Sequence, residues 1–130
     1  MIGIVIVAHG GLAREYLAAV EHVVGKQDGI LAISIEPDHD RTAKQAEIRA
    51  AADSVDDGHG VVVVTDMFGG SPSNLSLNAC DRDNRKILYG ANLPMLIKLA
   101  KSRRMNVDDA VACALTAGRK YIDCFDGHAG

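Results

Sequence analysis

The chain has 130 residues, 48% hydrophobic and 24% charged, a size and balance that let one compact soluble domain build its core with neither disulfides nor a structural metal. Fourteen Lys and Arg against seventeen Asp and Glu leave a net charge of -3, and aromatic residues make up 4% with no Trp. Both the electrostatic footprint and the stacking surface of a nucleic-acid binder are therefore missing.

Ile2 to Ala8 is predicted to be the first strand. It is too short to span a bilayer and carries neither a basic leader nor a small-residue cleavage site. Leu12, Tyr16, Val20 and Val23 then recur at helical spacing and stop at Gly25, so a first helix with that apolar stripe is expected. Ile30 to Ile35 reads as a second strand and Asp40 to Val55 as a second helix, with Ala43, Ala46 and Ala50 as its packing face. Val61 to Thr65 opens with four valines in a row, the unbroken β-branched run of a strand covered on both faces. Ser71-Pro72 has the pattern of an N-cap followed by proline at the first helical position, which predicts a third helix from there to about Asp81. Lys86 to Tyr89 is the fourth strand, followed by helices over Pro94 to Arg104 and Val107 to Tyr121. Lys98, Lys101, Arg103 and Arg104 crowd the end of the first of these, where cations complement the helix dipole. Residues 122 to 130 are either a frayed tail or one extra strand. The alternation predicts an α/β fold with a doubly wound, mostly parallel four-stranded sheet, order 2-1-3-4, and helices on both faces.

In such sheets the loops leaving the carboxyl ends of the strands build the site, and order 2-1-3-4 makes strands one and three neighbours at the switch point. The loops that meet there are His9-Gly10-Gly11 and Asp66-Met67-Phe68-Gly69-Gly70-Ser71-Pro72-Ser73-Asn74. An imidazole is a nucleophile near neutral pH when one nitrogen keeps its lone pair, and Asp66 can fix that tautomer by accepting the other nitrogen's proton. Gly69 and Gly70 permit close backbone approach, and hydroxyls on Ser71 and Ser73 can each donate to a phosphoryl oxygen, a bond worth roughly 1.5–3 kcal/mol. Taken singly, each residue also has a plain structural reading: a satisfied His9, a turn-capping Asp66, an N-cap Ser71, a glycine pair that only turns the chain. Asn92-Leu93-Pro94 follows strand four at the same edge and is a candidate for the rim. His39, in Pro37-Asp38-His39-Asp40, reads first as a solvated turn at a helix start. His22 and His59 are expected to be exposed, and His128 lies in the tail. Neither GxxxxGK[ST] nor GxGxxG occurs, and no acidic cluster follows strand one, which argues against a P-loop, a dinucleotide fold and a receiver domain. Cys80, Cys113 and Cys124 are odd in number and show no metal-ligand spacing, so a reduced cytoplasmic setting is expected.

Through His9-Gly10, the segment Asp66 to Asn74, Gly90-Ala91-Asn92-Leu93-Pro94-Met95-Leu96 and Thr116-Ala117-Gly118-Arg119, nearly the whole chain resembles the IIA domain of the mannose family of the bacterial phosphoenolpyruvate-dependent sugar phosphotransferase system (PTS). The resemblance implies that His9 accepts a phosphoryl group from the histidine of HPr and passes it to a IIB protein, on the ring nitrogen pointing away from Asp66. It implies that Asp66 orients the ring and that Gly69, Gly70 and Ser71 bind the phosphoryl oxygens, without a metal or other cofactor. A homodimer is implied too, with a C-terminal antiparallel strand exchanged between subunits, for which residues 122–126 are the candidate. Membrane contact would be indirect, through IIC and IID components. Phe68 stands where many members have Trp, a tolerable swap at a docking rim, and Gly11 where a bulkier residue is common. The chain reaches Gly130 with no IIB domain attached, so a separate IIB protein is the expected acceptor. The alternative is a regulatory phosphoprotein in which the state of His9 controls a partner. A weaker third reading is a metal hydrolase with His9, Asp66 and His39 as ligands.

Overall fold

In the computed structural model, which describes residues 1–67 and 69–127, the four apolar runs form strands β1 (Gly3–His9), β2 (Ile30–Ile35), β3 (Val61–Thr65) and β4 (Arg85–Tyr89). Every neighbouring pair is parallel and the order is β2-β1-β3-β4, as the strand-helix alternation predicts. The connections carry helices α1 (Leu12–Val24), α2 (Arg41–Val55), α3 (Ser71–Ser76), α4 (Leu93–Lys101) and α5 (Val107–Lys120).

The central strands are buried on both faces, and the pleat divides their side chains between two cores. Ile4, Ile6 and Ala8 of β1 with Val62 and Val64 of β3 meet α1, α4 and α5 through Ala13, Val20, Leu96, Leu99, Ala110 and Ala114. Val5 and Val7 with Val61 and Val63 meet α2, α3 and the turn after it through Ile48, Ala52, Leu75 and Ala79. Each fully buried Val or Ile contributes about 1.5–3 kcal/mol, enough to hold the strand ends in a fixed frame.

Helices α1, α2 and α3 depart from expectation in face or extent. On α2, Ala43, Ala46 and Ala50 face solvent, and Ile48 and Ala52 are fully buried instead. The large isoleucine gains more from burial than any alanine, so it sets the rotation of the helix. On α1, Leu12 and Val23 are exposed and the buried positions are Ala13 and Val20, with Tyr16, Leu17 and Val24 packed beside them. The third helix stops at Ser76 and tightens into a 3-10 turn over Leu77–Cys80. Its first residue is Ser71, while Gly70 occupies the N-cap position expected for that serine.

At the opposite, amino end of the sheet two arginines are structural. α4 ends at Lys101, and Arg103 turns inward to 5% exposure, donating from Nε to the Ile2 carbonyl at 2.8 Å rather than facing solvent at the helix end. Arg85, at 7% exposure, donates to the Ala79 carbonyl and to the carboxylates of Asp53 and Asp56, tying β4 to the end of α2. The three cysteines are free thiols, with Cys80 and Cys113 partly buried and Cys124 exposed. Residues 122–126 form no strand in the single chain and are exposed throughout; His128 lies outside the described residues.

Candidate functional site

His9 is the last residue of β1 rather than part of the loop after it, because the sheet pairs it with Ile35 of β2. Gly10 then takes φ +55, a left-handed turn that other residues adopt at a cost, and its N–H still donates to the Ile35 carbonyl at 3.0 Å. On the other side, Val7 is in register with Thr65, the last residue of β3. The backbone N–H of His9 therefore lies beyond the last residue of that ladder, and the side chain of the following residue, Asp66, receives it. Oδ2 of Asp66 accepts the His9 backbone N–H at 3.1 Å and lies 2.8 Å from His9 Nδ1.

One carboxylate oxygen thus holds both the backbone and the ring of His9. Asp66 is 12% exposed, and burial pushes its carboxyl up. The hydrogen bonds from the ring and the backbone of His9 outweigh that effect and keep it below the usual carboxylate range. An anionic Asp66 only accepts, so Nδ1 carries the ring proton of neutral His9 and Nε2 keeps its lone pair. The His9 side chain is 47% exposed, and Nε2 is the ring nitrogen that Asp66 does not hold.

The glycine loop flanks this ring. A Cβ added at Gly70 would stand 3.4 Å from Cε1 of His9, which puts the backbone against the ring edge between its nitrogens. Gly69 adopts φ +83 and donates its N–H to Ser73 Oγ at 3.0 Å, while the Ser73 hydroxyl donates to the Gly70 carbonyl at 3.1 Å. Ser73 is buried, so its hydroxyl pins the loop instead of reaching a phosphoryl oxygen. The Gly69 N–H is thus bonded within the loop, and at φ +83 the residue makes its left-handed turn. Ser71 lines an open cavity of about 460 Å³ together with His9, Gly10, Ile35, Glu36, Pro37 and His39.

The structure therefore brings His9, Asp66, Gly70 and Ser71 together and leaves Asn92 apart. The Asn92 side chain accepts from Met95 N–H as the N-cap of α4 and donates to the Gly118 carbonyl of α5, both at 3.0 Å. It lines a different cavity with Tyr89, Met95 and Ile122. Phe68 lies outside the described residues. His39 lies in the turn before α2, as the sequence predicts, and because β2 is the other neighbour of β1 that turn reaches the same sheet edge. Among the described residues no group of three or more His, Cys, Asp or Glu side chains is placed to hold a metal ion, so His9, Asp66 and His39 do not assemble the ligand set that a metal hydrolase needs.

The sequence profile of the family described as PTS system fructose IIA component matches residues 3–115, which covers every strand and most of α5. The chain belongs to this family. It is 30% identical over 124 residues to the PTS system mannose-specific EIIAB component of Escherichia coli K12, covering 93% of this chain and 38% of that protein. The fold superposes with a TM-score of 0.82 on the phosphotransferase system component EIIA from Streptococcus agalactiae, at 31% identity over 96% of this chain and 98% of that one. It superposes with a TM-score of 0.85 on the mannose/sorbose-specific IIA subunit from Enterococcus faecalis, at 26% identity over 96% and 95% of the two chains. The chain is thus an EIIA domain of the mannose family. Among the described residues no helix is long and apolar enough to cross a membrane.

Proposed function

We propose that the protein is a cytoplasmic phosphohistidine carrier that takes a phosphoryl group from HPr onto Nε2 of His9 and passes it to a IIB partner. The observation that carries this reading is the 2.8 Å contact between His9 Nδ1 and Asp66 Oδ2, which leaves Nε2 as the exposed nucleophile.

In the first transfer the Nε2 lone pair forms a bond to phosphorus while the nitrogen-phosphorus bond of the donor breaks, and its electron pair returns to the donor ring. The His9 ring, with a proton on Nδ1 and phosphorus on Nε2, becomes cationic, and the Asp66 carboxylate stabilises it without taking the proton. The second transfer reverses these events toward the acceptor. Exchange between two ring nitrogens demands positioning and charge complementarity more than covalent assistance. The two-point grip of Asp66 on His9, the Gly70 backbone at the ring edge and the Ser71 hydroxyl in the cavity support that role.

A homodimer belongs to the same proposal. Tyr121, Ile122 and Phe125 are 66%, 73% and 76% exposed, and β4 is an edge strand beside an apolar cavity of about 300 Å³ lined by Ile87, Met95 and Leu115. A tail exchanged between two copies would cover both features. Contact with a membrane would be indirect, through IIC and IID components.

Incubation with phosphoenolpyruvate, enzyme I and HPr is expected to give one acid-labile, alkali-stable phosphoryl group per chain, chased off by a IIB protein. Equal labelling of a His9→Ala variant overturns the assignment. A label that resists the chase while governing capture of another protein points to the regulatory alternative.

A further inference from the structure

We propose that His39 holds the phosphoryl group on His9, with its Nε2 as a proton-dependent donor to a phosphoryl oxygen across the cavity that both residues line with Ser71. The inference rests on the phosphohistidine reading and deepens it by naming what balances the charge of the bound group.

The cavity is lined by His9, Gly10, Ile35, Glu36, Pro37, His39 and Ser71, so none of its described lining residues is Lys or Arg. A phosphoryl group there carries roughly 1.5 to 2 negative charges near neutral pH and is bonded to a ring that Asp66 already partners. Arg41, two residues on at the start of α2, is not among the residues lining the cavity, and the other charged and titratable groups around His39 are acidic or neutral. β1 contributes His9 with Asp66 behind it, the end of β2 contributes the Glu36 carboxylate, and Asp38 and Asp40 flank His39 in the chain. Asp40 is committed to capping α2 through the Ala43 N–H at 3.0 Å. α3 contributes the neutral Ser71 hydroxyl. The cation that can answer the phosphoryl charge from the cavity wall is therefore His39 itself.

Its geometry decides which nitrogen does so. Nδ1 lies 2.8 Å from the Glu36 carbonyl oxygen, and a carbonyl only accepts, so Nδ1 always carries a proton. The backbone N–H of His39 donates to the same carbonyl at 3.3 Å, which fixes the ring at its root. Nε2 is left as the titrating position. Neutral, it presents a lone pair that repels a phosphoryl oxygen; protonated from solvent, it becomes a charge-assisted donor. By linkage, phosphorylation of His9 must then favour proton uptake at His39 by the same factor by which the protonated ring favours the adduct.

The test uses the full chain, phosphorylated either by HPr or by phosphoramidate, a small phosphoryl donor that needs no partner protein. The NMR titration of the His39 ring is expected to move up by about one pH unit on phosphorylation, a roughly tenfold coupling. His39→Asn keeps an amide N–H for the Glu36 carbonyl and loses the Nε2 position. It should fold normally and, because the contact favours the adduct over the transition state of its breakdown, shorten the adduct's half-life about tenfold near pH 6, with little effect near pH 9. His39→Gln, which sets a neutral amide near the Nε2 position, should restore part of the lifetime without its pH dependence. A His39 titration unmoved by phosphorylation, or a His39→Asn lifetime equal to wild type at every pH, overturns the proposal. If phosphoramidate labels His9 and HPr does not, the donor assignment fails and the His39 measurement still decides this inference. If neither labels it, both fall.

Discussion

Two aspartate-histidine pairs stand at opposite ends of the sheet with nearly the same local geometry. His9 Nδ1 lies 2.8 Å from Asp66 Oδ2, and His59 Nδ1 lies 2.8 Å from Asp57 Oδ1. In both, the same carboxylate oxygen also takes the histidine's backbone N–H, at 3.1 and 3.2 Å. What differs is how the pair is held. Asp57 and His59 are two residues apart in a turn before β3, and their contact is a local side-chain-to-backbone turn that brings the ring along. Asp57 is 54% exposed and shared with the Met1 ammonium at 2.7 Å, which, ahead of His59, holds its carboxyl far below the usual range. Asp66 and His9 are 57 residues apart, joined by two paired parallel strands, with Asp66 at 12% exposure. An aspartate-imidazole hydrogen bond is therefore not by itself a site; a rigid frame, a desolvated carboxylate and a glycine loop at the ring edge make it one.

The sharpest way to break this contrast is to delete each ring in turn. His9→Ala should abolish phosphoryl labelling, and His59→Ala should label at the wild-type rate, as measured with radiolabelled phosphoenolpyruvate in the coupled system. Labelling lost from the His59 variant would show that the two pairs are not functionally distinct.

Next in size is the carboxylate. Asp66→Asn keeps the shape but replaces a pure acceptor with an amide that can donate, so the proton on Nδ1 and the cationic phosphorylated ring both lose their support. The transfer rate should fall about 10²- to 10⁴-fold in single-turnover mixing with phosphorylated HPr. Asp57→Asn should leave that rate unchanged. Acid titration reads the same pair through folding. Because the folded Asp66 carboxyl lies below its ordinary value of 3.8, its contribution is complete above that value and is lost as pH falls through the folded one. Asp66→Asn should flatten that part of the acid limb in denaturation measured by circular dichroism.

Arg85 tests whether the amino end serves the frame rather than the chemistry. Its side chain is 1% exposed while Asp53 and Asp56 are 39% and 24% exposed, so solvent screens part of what the pairs contribute. Arg85→Met should cost about 2–3 kcal/mol in urea denaturation, at the low end for a broken buried pair, with labelling of the folded fraction intact. The hydrogen bond from Arg85 is the main cause of the lowered Asp53 carboxyl, so this variant should also be less sensitive to pH below about 4.

Much of this arrangement was legible in the residues. Four β-branched runs with helical spacing between them leave few topologies, and order 2-1-3-4 brings the exits of β1 and β3 together, so His9 could be set against Asp66 before any coordinates. Side-chain assignments were harder. The alanine stripe of α2 has the right period and the wrong face, because period alone does not say which stripe gains most from burial, and Ile48 decides it. Ser71 and Ser73 have the same chemistry in sequence. Only the loop conformation shows that Ser73 bonds Gly69 and Gly70 while Ser71 faces the cavity. Asn92 fits a rim and a cap equally well in sequence, and the N–H of Met95 shows that it caps α4.

The smallest expected effect probes the fit of the loop to the ring. Gly70 has φ -86, which any residue adopts, so alanine there brings no backbone strain. Its Cβ would stand 3.4 Å from His9 Cε1 and 3.5 Å from Met67 Cγ, ordinary van der Waals contact that leaves the ring in place but sets a methyl beside the carbon next to Nε2. Gly69 is the complement: at φ +83, with no atom of the described residues beyond its chain neighbours within 4 Å of an added Cβ, alanine there meets a strained backbone rather than a close contact. Gly70→Ala should therefore slow transfer about threefold to tenfold with an unchanged melting temperature. Gly69→Ala should lower stability by about 1–2 kcal/mol, with a smaller effect on the transfer rate. The two substitutions separate contact from conformation within one loop. The reverse pattern would mean that the loop supports His9 through its backbone shape rather than through the close approach of Gly70.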